Sequence, residues 1–113
     1  MDPRPLTERE RAVLEALLAV EFRGAEVLRR QAAEVMVIGM CGCGCPSIDF
    51  RSTHGRGMAV RVNAATPDHD GLFLYTVEGF EGTEALGGIE WVGVGGTDPD
   101  EFPPPSLLRI EPL

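Results

Sequence analysis

VMVIGMCGCGCPSIDF, residues 35–50, is the stretch where the chain changes its hydrophobic period. Before it, apolar residues recur three and four apart, the spacing of one helix face. After it they run on or alternate, the spacing of strands. The run 35–40 predicts a central strand, because a strand buried on both faces is apolar throughout. Cys41, Cys43 and Cys45 follow, separated by single glycines. Pro46 then interrupts the chain, having no N–H to donate. If CGCGC is extended, residues two apart share a face and the three thiols project together. With Gly42 and Gly44 between them, a bulge or tight turn is equally open.

Working back toward the N-terminus, Thr7 and Glu10 form a capping box: each side chain can satisfy the other's backbone N–H. Val13, Leu14, Leu17 and Leu18 continue at helical spacing, which predicts a helix over about 8–21. Gly24 ends it, and Val27, Leu28, Gln31 and Ala32 predict a second helix over about 25–33. Residues 1–6 form a loose arm and 7–33 a helix hairpin.

Forward of the cysteines, strands are predicted at 47–53, 58–64, 72–77 and 89–94. HGRG (54–57) and TPDHDG (66–71) are turns, and EGFEGTEALGG (78–88) is a glycine-rich connection. The sheet spans 34–95. The proline-rich tail 96–113 cannot be regular throughout, although 107–110 can add a short edge strand or pack on the surface. The expected fold is one α+β domain over 1–113. Its N-terminal two-helix hairpin packs on one face of a four- or five-stranded antiparallel β-meander. The inward set is Val13, Leu14, Leu17, Leu18, Val27, Leu28, Val37, Ile48, Val60, Val62, Leu74 and Ile89, with Met58 and Ala64 inward on the 58–64 strand.

At 113 residues, with 43% hydrophobic and 25% charged, the chain has the composition of a single globular domain rather than of a disordered segment. All ten basic residues are arginine, so no lysine is available for Schiff-base or phosphate chemistry. Residues 67–113 carry ten acids and one arginine out of a net charge of −8. That disfavours nucleic acid and anionic membranes and suits a basic partner. No apolar run is long enough for a membrane span, and MDPRPLTERE is too polar for a signal peptide. With an odd number of cysteines, the expected compartment is the cytoplasm.

Three thiolates point to two chemistries. Cys41, Cys43 and Cys45 with His54 or His69 would make a Cys3His zinc set, although the spacing matches no usual chelating pattern. Cu(I), assisted by Met36 or Met40, suits soft sulfur ligands. A redox role is the other, although C-x-C is not the C-x-x-C of redox motifs. Against both stands simple packing of small thiols where strands turn. Asp68, His69 and Asp70 have acid–base residue types but sit in a turn sequence. Arg51, His54, Arg56 and Arg61 form either an anion site or an outward strand face. There is no P-loop, dinucleotide fingerprint or HExxH, and no catalytic constellation is recognised.

The strand 72–77 is apolar on both faces. A helix hairpin covers only one, which leaves Phe73, Tyr75, Val77, Val92 and Val94 as an interaction face. A second copy of the chain or the tail 102–113 is expected to cover it.

The combination of LRRQ (28–31), CGCGCPSI (41–48) and GGIEWVGV (87–94) resembles a family of small uncharacterised proteins from high-GC bacteria. The resemblance implies no activity and transfers no site residue. In size, charge and architecture the chain is also similar to small acidic immunity proteins. The expectation is therefore a non-enzymatic acidic protein that binds a protein partner or forms a homodimer. The alternative is a thiolate metal or redox protein.

Overall fold

The computed structural model describes residues 2–51, 57–95 and 97–113. Two N-terminal helices, α1 (Glu8–Ala19) and α2 (Ala25–Ala32), precede six strands. These are β1 (Gly39–Met40), β2 (Ile48–Asp49), β3 (Ala59–Ala65), β4 (Gly71–Glu78), β5 (Glu84–Val92) and β6 (Arg109–Pro112). All pair antiparallel in one sheet of order β1-β2-β5-β4-β3-β6. The α+β class and the N-terminal helix pair are as expected. The sheet is wider than four or five strands, and only β3, β4 and β5 form a meander. β2 skips β3 and β4 and pairs with β5, placing Ile48 opposite Ile89 and Asp49 opposite Gly88.

The capping box forms: Thr7 Oγ1 accepts from the Glu10 N–H at 3.1 Å, and Glu10 Oε1 accepts from the Thr7 N–H at 2.9 Å. Arg4 adds a bidentate pair to the same carboxylate at 2.8 and 2.9 Å. It also exchanges backbone hydrogen bonds with Val37, so the segment expected as a loose arm is pinned to the sheet edge.

Val13, Leu14, Leu17, Leu18 and Leu28 pack with Val62, Leu72, Leu74, Leu86 and Ile89 in one core. Gln31 ties α2 to β5 with both ends of its amide. Nε2 donates to the Glu84 carbonyl at 2.8 Å, and Oε1 accepts from the Leu86 N–H at 2.9 Å. Glu84 in turn accepts from Arg61 and from Thr76. These bonds satisfy backbone groups at a ladder irregularity, where Tyr75 pairs with Gly88 but Thr76 with Leu86, leaving Gly87 as an extra residue.

Several sequence expectations are corrected. The apolar run 35–40 is an edge, with only Gly39–Met40 in a strand; Val37 reaches the core while Met36 and Met40 stay exposed. Val27 and Met58 are exposed rather than inward, and Val60 is half-buried. β5 begins at Glu84, five residues before the predicted strand, so much of the supposed glycine-rich connection is ladder.

The tail does not cover the far face of the sheet. Phe102 is fully buried in the helix-side core, and its carbonyl accepts from Arg9 of α1 at 2.9 Å. β6 then lengthens the sheet at β3, pairing Ile110 with Ala64. Three prolines are compatible with this because they precede the paired segment. Phe102→Ala is therefore expected to cost about 3–5 kcal/mol, as large-to-small core substitutions do. Urea denaturation measures it; an unchanged midpoint would mean that the tail contributes nothing to the core.

Candidate thiolate site and the open sheet face

CGCGC is a turn between β1 and β2, not an extended segment. Gly44 adopts φ +92°, a left-handed conformation that glycine takes without Cβ strain, and its N–H reaches the Cys41 carbonyl at 3.5 Å. The turn draws the Cys41 and Cys43 Cα atoms to 5.4 Å. An extended chain would hold them about 6.6 Å apart. The consequence is chemical: Cys41 and Cys43 are joined as a disulfide, and the sulfurs of Cys41, Cys43 and Cys45 all lie within 4.8 Å of one another.

The three differ in surroundings. Cys43 is exposed, Cys41 half-buried and Cys45 buried as a free thiol. Cys45 Sγ donates to Ser47 Oγ at 3.3 Å, and the same buried oxygen accepts the Trp91 N–H of β5 at 2.8 Å. One hydroxyl thus anchors the cysteine turn to the sheet. His54, expected as a fourth ligand, lies outside the described residues, as does Arg56 of the proposed anion cluster. The Met40 sulfur is turned toward Arg4, whose Nη2 lies 3.5 Å away. Arg61 is committed to Glu84 rather than to a free anion site.

The acid–base candidates sit in a turn. His69 has φ 71°, its N–H donates to the Thr66 carbonyl at 3.2 Å, and Asp70 Oδ1 accepts from the Val94 N–H at 2.8 Å. These contacts account for the turn without any reaction.

The expected interaction face is dispersed. Phe73 and Tyr75 are half-buried on the face opposite Leu72 and Leu74, their rings edge to face at 6.3 Å. Val77 is fully packed, at 2% exposure. Val92 ends β5 and Val94 lies beyond it, both exposed. What the sequence did not reveal is the polar component of this face. Tyr75 Oη donates to Asp49 Oδ1 at 2.6 Å, from a strand 26 residues distant. Burial, and then the Asp49 carboxylate, push the Tyr75 hydroxyl upward from its ordinary range. The same two causes, burial first, raise Glu90.

No helix among the described residues is long and apolar enough to cross a membrane. No protein-family model, curated protein or solved structure matches the chain.

The raised Glu90 sets a pH dependence. A carboxyl whose folded pKa lies above its unfolded value contributes stability below the unfolded pKa and loses it as pH rises through the folded one. Glu90→Gln is accordingly expected to raise the thermal midpoint at neutral pH. The gain should shrink as pH falls through the carboxylate range. A variant less stable than the parent at neutral pH would contradict the assignment.

Proposed function

We propose that this chain is a non-enzymatic thiolate protein whose reduced form takes up a soft metal ion, Cu(I) before Zn(II), through Cys41, Cys43 and Cys45. The observation that carries this reading is the convergence of three sulfurs within 4.8 Å in one turn. A metal bound by three thiolates at about 2.3 Å each holds its sulfurs about 4 Å apart, so the joined Cys41 and Cys43 sulfurs must separate on reduction, within the 4.8 Å that the three already span. Three soft ligands suit Cu(I), whereas a closed zinc site needs a fourth. Exposed Cys43 provides an entry side and buried Cys45 a fixed anchor.

With Cys41 and Cys43 joined, neither offers a thiolate. Uptake therefore follows reduction. A thiol reductant supplies two electrons and two protons, the S–S bond becomes two thiols, and the reductant leaves as its own disulfide. Metal then displaces the thiol protons.

A second reading is favoured by the aromatic pair on the sheet face away from the helices. There the chain is an acidic interaction module, and Phe73, Tyr75 and Val92 meet a second copy or a protein partner. Its mark is a concentration-dependent mass in sedimentation that Tyr75→Arg abolishes.

The primary reading is tested by anaerobic titration of phosphine-reduced protein with Cu(I) against a chromophoric chelator. One equivalent should be taken from the chelator, and Cys45→Ser should abolish stoichiometric uptake. Equal uptake by a variant with all three cysteines replaced by serine would overturn the proposal.

A further inference from the structure

The sequence contains a single tryptophan, Trp91, and its position raises a question separate from the thiols. The residue is 8% exposed, and its Nε1–H is buried without a hydrogen-bond partner among the described residues. Buried donors are ordinarily paired, so an orphan N–H on a residue that lines a cleft marks a place for an acceptor. Trp91 lines a cleft of about 410 Å³ between the 66–70 turn and the tail. Clefts of roughly 300–1,000 Å³ hold small ligands or single side chains.

The wall and rim of this cleft differ in character. Trp91, Pro103 and Leu107 supply apolar surface, whereas Asp68 and Asp98 supply carboxylates. Asp70 is engaged by the Val94 N–H and Glu101 by Arg9. Asp68 and Asp98 are exposed, and neither side chain has a partner among the described residues. A Cβ placed on Gly93 would lie 2.9 Å from Trp91 Nε1 and 2.8 Å from Asp98 Oδ1. The indole N–H and this carboxylate thus flank one point, which the absence of a side chain at 93 keeps open.

From this juxtaposition we infer that the Trp91 cleft is a binding site for an arginine of a basic protein segment. The guanidinium pairs with Asp98 and Asp68, its planar face lies on the apolar wall, and a backbone carbonyl of the same segment accepts from Trp91 Nε1. A guanidinium matches a carboxylate in bidentate geometry and stacks on aromatic surface. The charge agrees: residues 67–113 carry ten acids against one arginine. Asp98, exposed and unpaired, can turn outward to admit the carbonyl to the indole. The site uses none of the cysteines, so its success or failure is independent of metal binding.

Because Trp91 is the only tryptophan, its indole N–H gives one resonance in a ¹⁵N–¹H spectrum and reports on this cleft alone. Titration with N-acetyl-arginine amide should move that resonance saturably and downfield. The citrulline analogue, isosteric but uncharged, should bind about tenfold more weakly, as should the arginine probe to Asp68→Asn/Asp98→Asn protein. Methylguanidinium, which has the charge but no carbonyl, should compete without the downfield shift. An indole resonance unmoved up to the solubility limit of the arginine probe would overturn the site. Equal binding of the citrulline analogue would overturn the cation assignment. An identical indole shift with methylguanidinium would overturn the peptide assignment.

Discussion

Among the described glycines, the tightest approaches are at Gly87 and Gly88, where Tyr75 crosses β5 and the Ile48 carbonyl meets it. A Cβ at Gly87 would stand 2.5 Å from Tyr75 Cε2, and one at Gly88 would collide with the Ile48 carbonyl and the Tyr75 hydroxyl. No side chain is compatible with either approach. The pair of glycines therefore lets β4 lay its tyrosine flat across β5 while β2 closes on β5 from the other side. The ladder slips by one residue there, and the Gly87 carbonyl is taken by the Phe50 N–H at 2.8 Å. Without that approach β2 would lose its ladder to β5, and the cysteine turn that ends in β2 would keep only the ladder between β1 and β2.

β5 is accordingly the strand on which both candidate sites depend. Its Trp91 N–H is bound by Ser47, which also holds Cys45, while the indole of the same residue forms the wall of the acidic cleft. Backbone and side chain of one residue thus face two different chemistries: a sulfur cluster on the β1–β2 side and carboxylates on the side of the tail. The helices contribute to neither directly. They bury the common face of the sheet and, through Gln31, satisfy the backbone at the ladder slip. That division is typical of α+β domains, where rigid layers position sites carried by loops.

The legible parts of the chain were those governed by local rules. The capping box at Thr7 and Glu10, the leucine spacing of α1 and the alternation in β3 each follow from a few consecutive residues. Local rules misled where an environment was supplied from elsewhere. The run 35–40 has the composition of a central strand, yet it is an edge because β5, far along the chain, takes β2 as its neighbour. Residues 84–88 have the composition of a loop, yet all but Gly87 pair with β4, and Gly87 and Gly88 leave room for Tyr75. The Tyr75–Asp49 hydrogen bond has no sequence signal at all, since nothing local links residues 26 apart.

The amino-acid sequence by itself determined the class of the fold, the helix pair, the acidic surface of the C-terminal half and the presence of three thiols one residue apart. These depend on periodicity, capping, composition and counting, which need no knowledge of distant neighbours. Only the tertiary structure decided the strand order, the seat of Phe102 in the core and the turn that gathers the sulfurs. It alone left the single indole N–H unpaired, among the described residues, near Asp98. Each of these depends on which non-local groups arrive at a given point, a choice made by packing and by the requirement that buried polar groups find partners.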